Sequence, residues 1–319
     1  MKCRICNNEL HNTFYKVREM MLGTRDEFDY FQCNNCGCLQ ICNIPENISQ
    51  YYPKDYCDHV RSSSYIRDII SIMKDKYIFN NNDSLSRVLN KHIPCKHAYM
   101  SKLLEWNDIN PESWILDVGC GSGEFLKYLH RSGYKNLVGV DPFVENSCKD
   151  GVATHGCSLM DFVGYTKREF NFIILNHSFE HMPNPQEIMQ CINRLLTRFG
   201  TCVIRIPTVS SKAWETYKEN WVQLDAPRHF FLHSIKSMEI LCQDAGLKIV
   251  DSYYDSSEFQ FIGSEQYARD ISLYDEKSYY VNKSEYSKDN VKLFKAFAKK
   301  YNDNRCGDQI VLRIKKLAN

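Results

Sequence analysis

The stretch ILDVGCGSGEFL, residues 115–126, constrains the fold of this chain more than any other part of it. A short apolar run precedes three glycines in five positions, Gly119, Gly121 and Gly123. This order predicts a buried strand that passes through a tight turn into a helix. In an open α/β sheet, ligands lie beyond the carboxyl ends of the strands, and glycines there let the backbone approach them closely. The stretch therefore predicts a ligand site.

Strands and helices alternate through the rest of the chain. We predict strands at Trp114–Val118, Leu137–Asp141, Phe170–Asn176, Thr201–Ile206 and Leu247–Tyr253, and helices at Glu124–His130, Gln186–Arg198 and Ile235–Ala245. Such alternation favours a parallel, doubly wound sheet with right-handed crossovers. The tail CGDQIVLRIKK predicts a last strand, after an irregular insertion at residues 255–305.

Local signals mark where some of these helices begin and end. Gly200 and Gly246 stand where helix C-caps are expected, and Ser234 stands where an N-cap is expected. Residues 51–105 carry two segments with apolar residues at three- and four-residue spacing, YIRDIISIMKDKYIF and AYMSKLLEW. That spacing predicts a helical linker or lid region.

The residues around the glycine turn select among nucleotide-type ligands. The lysine and spacing of a phosphate-binding Walker loop are missing, and Glu124 occupies the third glycine position of a dinucleotide fingerprint. A carboxylate at the start of that helix would repel a pyrophosphate. With Asp117 ahead of the glycines, the turn favours a cationic ligand without phosphate, and S-adenosylmethionine has these properties. Asp141 is placed to accept hydrogen bonds from ribose hydroxyls.

At these residues the chain resembles the class I S-adenosylmethionine-dependent methyltransferases, over roughly residues 100–319. The resemblance implies a Rossmann-like α/β fold with a doubly wound, seven-stranded, mostly parallel sheet. It also implies that GCSLMDF contacts the adenine, with Asp161 near the amino group, and that the loop after the fourth strand lines the cofactor. The cofactor-binding residues implied are Asp117, Gly119, Gly121, Gly123, Asp141, Leu159, Met160, Asn176 and His177. For Leu159 and Met160, ordinary core packing is an alternative.

His177, Glu180 and His181 also spell HxxEH, an inverted zinc-protease signature. That chemistry requires both histidines on one face of a helix. Here they directly follow strand residues, and Pro183 and Pro185 come just behind them, so a long helix is excluded. The protease interpretation is therefore rejected, and His181 is kept as a candidate that faces the substrate.

Four cysteines near the start predict a separate metal site. Cys3 and Cys6 form one CxxC pair and Cys33 and Cys36 another, with 26 residues between the pairs. Each pair fits a knuckle that presents two thiolates to one tetrahedral ion, which is typical of a structural zinc ribbon. Alternatives are an iron–sulfur site, reduced cysteines without metal, or the participation of neighbouring ligands, Cys38 and Cys42.

These patterns divide the chain into a zinc ribbon at residues 1–50, the helical region at 51–105 and a methyltransferase domain at 106–319. The 40 basic and 39 acidic residues leave no field that would attract polyanions, so general nucleic-acid binding is disfavoured. Neither a signal-peptide core nor a run of about 20 apolar residues is apparent. We therefore expect a cytoplasmic protein without a membrane partner, and the oligomeric state is not inferred.

A zinc ribbon ahead of a methyltransferase, with YYPKDY and WVQLDAPRHFFLHS, resembles bacterial methyltransferases that act on sugars and other small metabolites. The resemblance implies a sugar or nucleotide-linked sugar as substrate, in surface-polysaccharide or natural-product pathways. The chain lacks the extra C-terminal domain of the C-methylating branch, which favours transfer to oxygen. Alternatives are a C- or N-methyltransferase of a small metabolite, an RNA or protein methyltransferase that uses the ribbon for recognition, a metal-dependent O-methyltransferase, and a nucleoside-binding protein without activity.

Methyl transfer to a hydroxyl requires alignment of the acceptor and a base. His229 has a near-neutral intrinsic pKa and, by the resemblance, stands where the sugar-modifying relatives place a catalytic histidine. We predict His229 as general base, Asp225 as the residue that orients it or the substrate, and Arg228 as a partner for an anionic substrate group. The alternative is that this segment merely caps the next helix. Aromatic residues that sugars can stack on are Tyr51, Tyr52, Tyr56, Trp214 and Trp221.

Overall fold

The computed structural model describes residues 1–52, 103, 107, 109–149 and 151–317. The helical segments predicted between residues 65 and 106 fall largely outside this range, as does Tyr56.

The N-terminal residues form a small antiparallel sheet around the cysteine pairs. Strands β1 (Thr13–Arg18) and β2 (Glu27–Gln32) form a hairpin, and β3 (Leu39–Ile41) pairs with β2. The fourth strand, β10 (Phe231–Leu232), comes from far along the chain and pairs with β3. The order is β1-β2-β3-β10. The sheet of the predicted ribbon is thus completed by residues directly after His229.

A larger sheet contains eight strands. They are β4 (Trp114–Val118), β5 (Asn136–Val140), β6 (Ser147–Lys149), β7 (Val152–His155), β8 (Phe170–Asn176), β9 (Leu196–Pro207), β11 (Leu247–Tyr254) and β12 (Gln309–Lys316). Their order is β11-β12-β9-β8-β4-β5-β7-β6. The pairs β4·β5, β4·β8 and β5·β7 are parallel, whereas β11·β12 and β6·β7 are antiparallel.

The predicted doubly wound, mostly parallel α/β fold is confirmed. Seven strands were expected, and the eighth is β6, a three-residue strand at the edge beside β7. The buried residues of the central strands are almost continuously apolar, as in Ile115, Leu116 and Val118 of β4. Burial on both faces explains that pattern, because parallel sheets are covered by helices on each side.

Helices follow the strands in the predicted alternation. They are α1 (Glu124–Arg131), α2 (Leu159–Tyr165), α3 (Pro185–Leu195), α4 (Lys212–Tyr217), α5 (Ile235–Asp244), α6 (Phe259–Ala268) and α7 (Lys288–Asp303). Ser234 caps α5 as predicted, because its side chain accepts a hydrogen bond from the Ser237 amide. Gly246 follows α5 with φ +70°, as expected after a helix end.

Two predictions about local structure were wrong. Gly200 is not a helix cap but lies inside β9, because α3 ends at Leu195 and the chain passes directly into the strand. A Cβ at Gly200 would lie 2.9 Å from the Phe170 carbonyl oxygen, so close backbone approach explains the glycine. The insertion at residues 255–305 is also not irregular, since it contains α6 and the sixteen-residue α7.

The chain forms two compact units. One comprises Met1–Pro53, Leu175–Asn193 and Val203–Asn319, and the other comprises Lys54–Ile174 and Arg194–Cys202. The boundaries predicted above at residues 50 and 105 stay a prediction. Within the described parts of the chain, no helix has both the length and the apolar character needed to cross a membrane.

Candidate active site

The glycine turn between β4 and α1 adopts a backbone that side chains disfavour. Gly119, Gly121 and Gly123 have φ values of +77°, +51° and +74°. A Cβ at Gly121 would meet nothing within 4 Å, so conformation rather than crowding requires glycine there in the ligand-free chain. At Gly121 the backbone therefore lies beside open space, and its contact with a ligand stays a prediction.

Asp141, directly after β5, organises this turn. One carboxylate oxygen accepts from the Gly121 amide at 3.0 Å, and the other accepts from the Phe143 amide at 2.9 Å. The Gly119 amide in turn donates to the Val140 carbonyl at 2.8 Å. The acid predicted to bind ribose thus lies against the glycine turn, where its bonds fix the loop.

Asp117, the penultimate residue of β4, has a buried carboxyl group and is 5% exposed. Burial raises its pKa to about 7, and the negative charge of Asp141 adds to the effect. A positively charged ligand beside Asp117 would relieve both causes. The group is therefore suited to a cation, and it titrates in the physiological range without one.

The two residues predicted to sandwich the adenine differ in exposure. Leu159, the first residue of α2, is 3% exposed, whereas Met160 is 37% exposed. Ser158 caps this helix by accepting from the Asp161 amide, and its hydroxyl donates to the Asp161 carboxylate at 2.7 Å. Leu159 thus has the burial of a core residue, and Met160 is the accessible one of the pair.

The end of β8 carries Asn176 and His177, and both contact Arg205 of β9. The guanidinium donates to the Asn176 side-chain oxygen at 3.2 Å and to His177 Nε2 at 2.6 Å. It also pairs with Asp255 at 2.8 Å. His177 has φ +52°, and its Nδ1 lies 3.5 Å from Glu180 Oε1. Their contact with the cofactor stays a prediction.

Glu180 and His181 lie on a short 3-10 turn, Phe179–His181, in agreement with the exclusion of a long helix. Glu180 is fully buried, which by itself would raise its pKa, but the nearby His177, at 3.5 Å, and the positive charges of the surrounding histidines lower it to about 2. The His181 and His229 rings make an edge contact with centroids 4.8 Å apart. The three side chains form a cluster that we call the Glu180 cluster: Glu180, His181 and His229.

His229 is the residue predicted as general base, and the structure places it in this cluster. Burial and the nearby His181 lower its pKa to about 4, against the opposing effects of Asp225 and Glu180. Its Nδ1 donates to the Gln223 carbonyl at 2.8 Å, and its Nε2 lies 3.8 Å from Asp225. The ring is therefore neutral at neutral pH, with the lone pair on Nε2.

Arg228 does not have the predicted role of binding a substrate anion. Its guanidinium is fully buried and donates to both Asp225 oxygens at 2.5 and 3.0 Å, to Glu19 at 3.2 Å and to the Tyr51 carbonyl at 2.8 Å. Glu19 also accepts from the four backbone amides of residues 21–24. Arg228 is a structural ion-pair residue, because its donors are already directed at protein oxygens.

This correction predicts that Arg228→Ala acts on stability. Removing the guanidinium leaves Glu19 and Asp225 without their cation, so we expect the free energy of unfolding to fall by about 3–5 kcal/mol. Urea unfolding measures it. Arg18→Ala is the control, because its ion pair with Asp270 is exposed and should be worth about 1 kcal/mol or less. Unchanged unfolding of Arg228→Ala, with only a higher KM, would restore the anion-binding role.

Trp221 likewise does not have its predicted role as a sugar-stacking residue. It is fully buried, and its indole N–H donates to Asp308 at 3.0 Å. Trp214 and Tyr51 are also buried, at 2% and 5% exposure. Tyr52 differs from these aromatics, because it is half-buried and its hydroxyl lies 3.4 Å from His181 Nδ1.

The four cysteines of the predicted ribbon come together. The sulfur atoms of Cys3 and Cys36 are 3.6 Å apart, those of Cys6 and Cys33 are 3.5 Å apart, and all four lie within 4.8 Å of one another. The hydrogen bond with Cys36 lowers the pKa of Cys3 to about 4. The set can hold one metal ion, and the neighbouring Cys38 is not part of it.

The glycine turn has positive φ and follows a central parallel strand, and an acidic residue, Asp141, directly follows the next strand. These features are typical of a Rossmann-like nucleoside-binding fold. The family model described as "Methyltransferase domain" matches residues 91–252, just over half of the chain. The chain therefore belongs to this methyltransferase family, and it is an S-adenosylmethionine-dependent methyltransferase. No curated protein matches the sequence.

Solved structures with a similar fold have low sequence identity. A SAM-dependent methyltransferase from Archaeoglobus fulgidus is 15% identical, with 73% of this chain and 100% of that chain covered and a TM-score of 0.44. The 1,6-didemethyltoxoflavin-N1-methyltransferase of Burkholderia thailandensis is 13% identical, with coverage of 81% and 93% and a TM-score of 0.42. The plantazolicin methyltransferase BamL is 13% identical, with coverage of 79% and 99% and a TM-score of 0.43.

Sequence reasoning missed several residues around the Glu180 cluster. Glu180 was noticed only as part of a protease-like motif, and Glu19 and Gln223 were not singled out. The sequence did contain a hint for Glu180, because an acidic residue that closely follows a buried strand is expected near the carboxyl end of the sheet, where ligands bind. Glu19 and Gln223 carried no such signal, because a buried carboxylate and a carbonyl acceptor are recognised only by their partners.

Proposed function

We propose that this methyltransferase transfers the methyl group of S-adenosylmethionine to a hydroxyl oxygen of a sugar or nucleotide-linked sugar. The observation that carries the proposal is the Nε2 lone pair of His229, which is held in place by the Nδ1 hydrogen bond to Gln223. A neutral imidazole of fixed orientation is the group that hydroxyl activation needs. Among the predicted aromatic residues that the structure describes, Tyr52, beside His181, is the remaining candidate for stacking on a sugar.

The reaction is an in-line displacement at the methyl carbon. The hydroxyl oxygen forms a bond to that carbon while the carbon–sulfur bond breaks, and S-adenosylhomocysteine leaves. In its simplest form, the hydroxyl proton passes to Nε2 of His229. Asp225 and Glu180, at 3.8 and 4.0 Å from Nε2, favour the imidazolium that this transfer creates. Asp225 is itself held by the bidentate contact with Arg228.

Product analysis tests the proposed acceptor. The purified protein is incubated with labelled S-adenosylmethionine and a panel of free sugars, nucleotide-linked sugars and small amines, and products are identified by mass spectrometry and NMR. We expect an O-methyl sugar. Methylation of a nitrogen or carbon atom, or of RNA or protein only, would contradict the proposal. Roles in surface-polysaccharide biosynthesis and in the cytoplasm stay predictions.

For the cysteine set, we propose a structural zinc ion. Four thiolates satisfy tetrahedral zinc completely, so the site has no open position for a substrate. Hydrogen bonds to sulfur support the thiolate form, with the Gln40 side-chain amide 2.9 Å from Cys3 and the Ile5 amide 3.4 Å from it. The distances between the four sulfur atoms also support the proposed zinc ion. Metal analysis of the purified protein tests whether zinc is bound.

Asp117 predicts how the affinity for S-adenosylmethionine depends on pH. Below its pKa of about 7 the carboxyl group is neutral and does not attract the ligand cation, so affinity falls as the pH falls. We expect binding to be about tenfold weaker at pH 6 than at pH 8, measured by calorimetry. Asp117→Asn should bind weakly at both values. A wild-type affinity that does not change with pH would show that Asp117 does not face the cation.

A further inference from the structure

The Glu180 carboxylate is buried without a hydrogen-bond partner. Its exposure is 0%, and neither oxygen has a partner among the residues that the structure describes. His177 Nδ1 lies 3.5 Å and His229 Nε2 lies 4.0 Å from Glu180 Oε1. Leaving a buried carboxylate unpaired costs several kcal/mol, so native proteins pair such groups or coordinate them to metals. Within the described part of the chain, the Glu180 carboxylate therefore lacks the hydrogen-bond or metal partner that a buried carboxylate normally has.

The two histidines of the Glu180 cluster are both oriented by backbone carbonyls. His181 Nδ1 donates to the Arg228 carbonyl at 2.8 Å, and His229 Nδ1 donates to the Gln223 carbonyl at 2.8 Å. This arrangement leaves the lone pair of each ring on Nε2. Metal-binding histidines are held in the same way, since a carbonyl on the other ring nitrogen fixes the tautomer and orientation.

The charges around the cluster favour a cation. The carboxylates of Glu180 and Asp225 both lie within 4.0 Å of His229 Nε2, and the guanidinium of Arg228 contacts Asp225 and Glu19. Arg205 contacts His177 and forms an ion pair with Asp255. A divalent cation would offset the remaining negative charge in a region from which water is largely excluded.

We propose that Glu180, His181 and His229 bind a divalent first-row transition-metal ion. One ligand atom from each residue lies within 4.8 Å of the others, so that small movements bring all three to a shared ion. Two imidazoles and one carboxylate are a ligand set found in catalytic zinc sites and in other open metal sites. Three protein ligands leave coordination positions free for water or substrate.

The second imidazole comes from His229 and not from His177 of the HxxEH sequence. His177 Nε2 accepts from Arg205 at 2.6 Å, so that lone pair is already used. His229, by contrast, reaches the cluster from a distant segment, which Tyr30 and Gln223 hold in place. The site is therefore distinct from the protease-like motif that the sequence suggests.

For its chemical role, this inference rests on the proposed methyl transfer to a hydroxyl, and it gives His229 a different part in that step. A hydroxyl that binds a divalent ion loses its proton at lower pH than a free hydroxyl, because the positive charge favours the alkoxide. With the ion bound, the His229 lone pair would be a metal ligand, and the hydroxyl proton would pass to a water molecule at an open coordination position instead of to His229. The binding of the ion itself does not depend on which acceptor is methylated.

Binding of Mn²⁺ to the full-length, zinc-loaded protein tests the site. Mn²⁺ prefers oxygen and nitrogen ligands to thiolates, so it should leave the cysteine set occupied by zinc. Electron paramagnetic resonance measures the free ion during a titration. We expect one bound Mn²⁺ per chain, with a Kd that rises about 100-fold or more in Glu180→Gln and in His229→Gln. His11→Gln, at an exposed histidine outside the cluster, is the control and should bind the ion as tightly as wild type.

Two results would overturn the metal site. The first is that the wild-type chain takes up no Mn²⁺, Co²⁺ or Zn²⁺ beyond the ion in the cysteine set. The second is that Glu180→Gln binds the ion as tightly as wild type. Zinc retained at the cysteine set and an unfolding transition like that of wild type show that the unit containing Glu180 is folded in each variant, so that loss of the ion is not loss of structure. A chain that binds Mn²⁺ but methylates no sugar would contradict the proposed acceptor and leave the metal site supported.

Discussion

Replacing His229 by alanine is expected to lower turnover by about 100-fold. The reason is that the substitution removes the Nε2 lone pair, on which hydroxyl activation depends whether it acts on a proton or on a metal ion. Affinity for S-adenosylhomocysteine should stay close to that of wild type, because the glycine turn and Asp141 form their contacts without His229. Turnover is measured by release of S-adenosylhomocysteine with an acceptor identified as above.

A conservative variant and a surface variant control this experiment. His229→Gln retains an N–H group for the Gln223 carbonyl but lacks a basic nitrogen, so we expect the same loss as with alanine. His11→Ala changes an exposed histidine near the N-terminus and should leave turnover unchanged. Turnover of His229→Ala within threefold of wild type would contradict the assignment of His229 as the activating residue.

The glycine turn and the strands around it could be predicted from sequence because their physics is local. Three closely spaced residues must adopt positive φ, and a run of apolar residues must be buried on both faces. Strands β4 and β8 match their predicted bounds, and β5 differs by one residue at each end. The four-cysteine set was predictable for a similar reason, since each CxxC pair fixes its own turn.

The acceptor side of the site could not be predicted in the same way. The partners Glu19 and Arg228 are 209 residues apart, and His229 reaches Glu180 from a different loop. In the sequence, an arginine next to a candidate base suggests an anion-binding residue. The structure shows instead that the buried Arg228 guanidinium already donates to the carboxylates of Asp225 and Glu19. Gly200 is a backbone example of the same difficulty. Glycine is needed there because the Phe170 carbonyl oxygen lies close by, and the sequence around Gly200 does not show that contact.

The cysteine set and the His229 segment are connected by direct contacts. Strand β3, which follows the second cysteine pair, is hydrogen-bonded to β10 through the pairs Phe231↔Gln40 and Leu232↔Leu39. The Tyr30 hydroxyl donates to the His229 carbonyl at 2.8 Å, and the Ile41 amide donates to the Phe230 carbonyl at 3.0 Å. A metal that organises β2 and β3 therefore also determines the backbone position of His229.

From these contacts we expect Cys36→Ser to lower turnover about 100-fold or more, although Cys36 touches no residue of the Glu180 cluster among the contacts described above. Structural zinc contributes on the order of 10 kcal/mol to folding of its module, so its loss should release β3 and with it β10. A displacement of about 1 Å at His229 is enough for a loss of about 100-fold. Metal content and turnover are measured on the same preparation.

The selectivity of the effect separates this explanation from general unfolding. The glycine turn, Asp117 and Asp141 belong to the compact unit that does not contain the cysteine set, so affinity for S-adenosylhomocysteine should change by less than about threefold in Cys36→Ser. Cys148→Ser, at an exposed cysteine outside the set, is the control and should alter neither quantity. If Cys36→Ser lost its zinc and kept full turnover, the ribbon would be independent of the acceptor site, and the contacts through Tyr30 and β10 would have no role in catalysis.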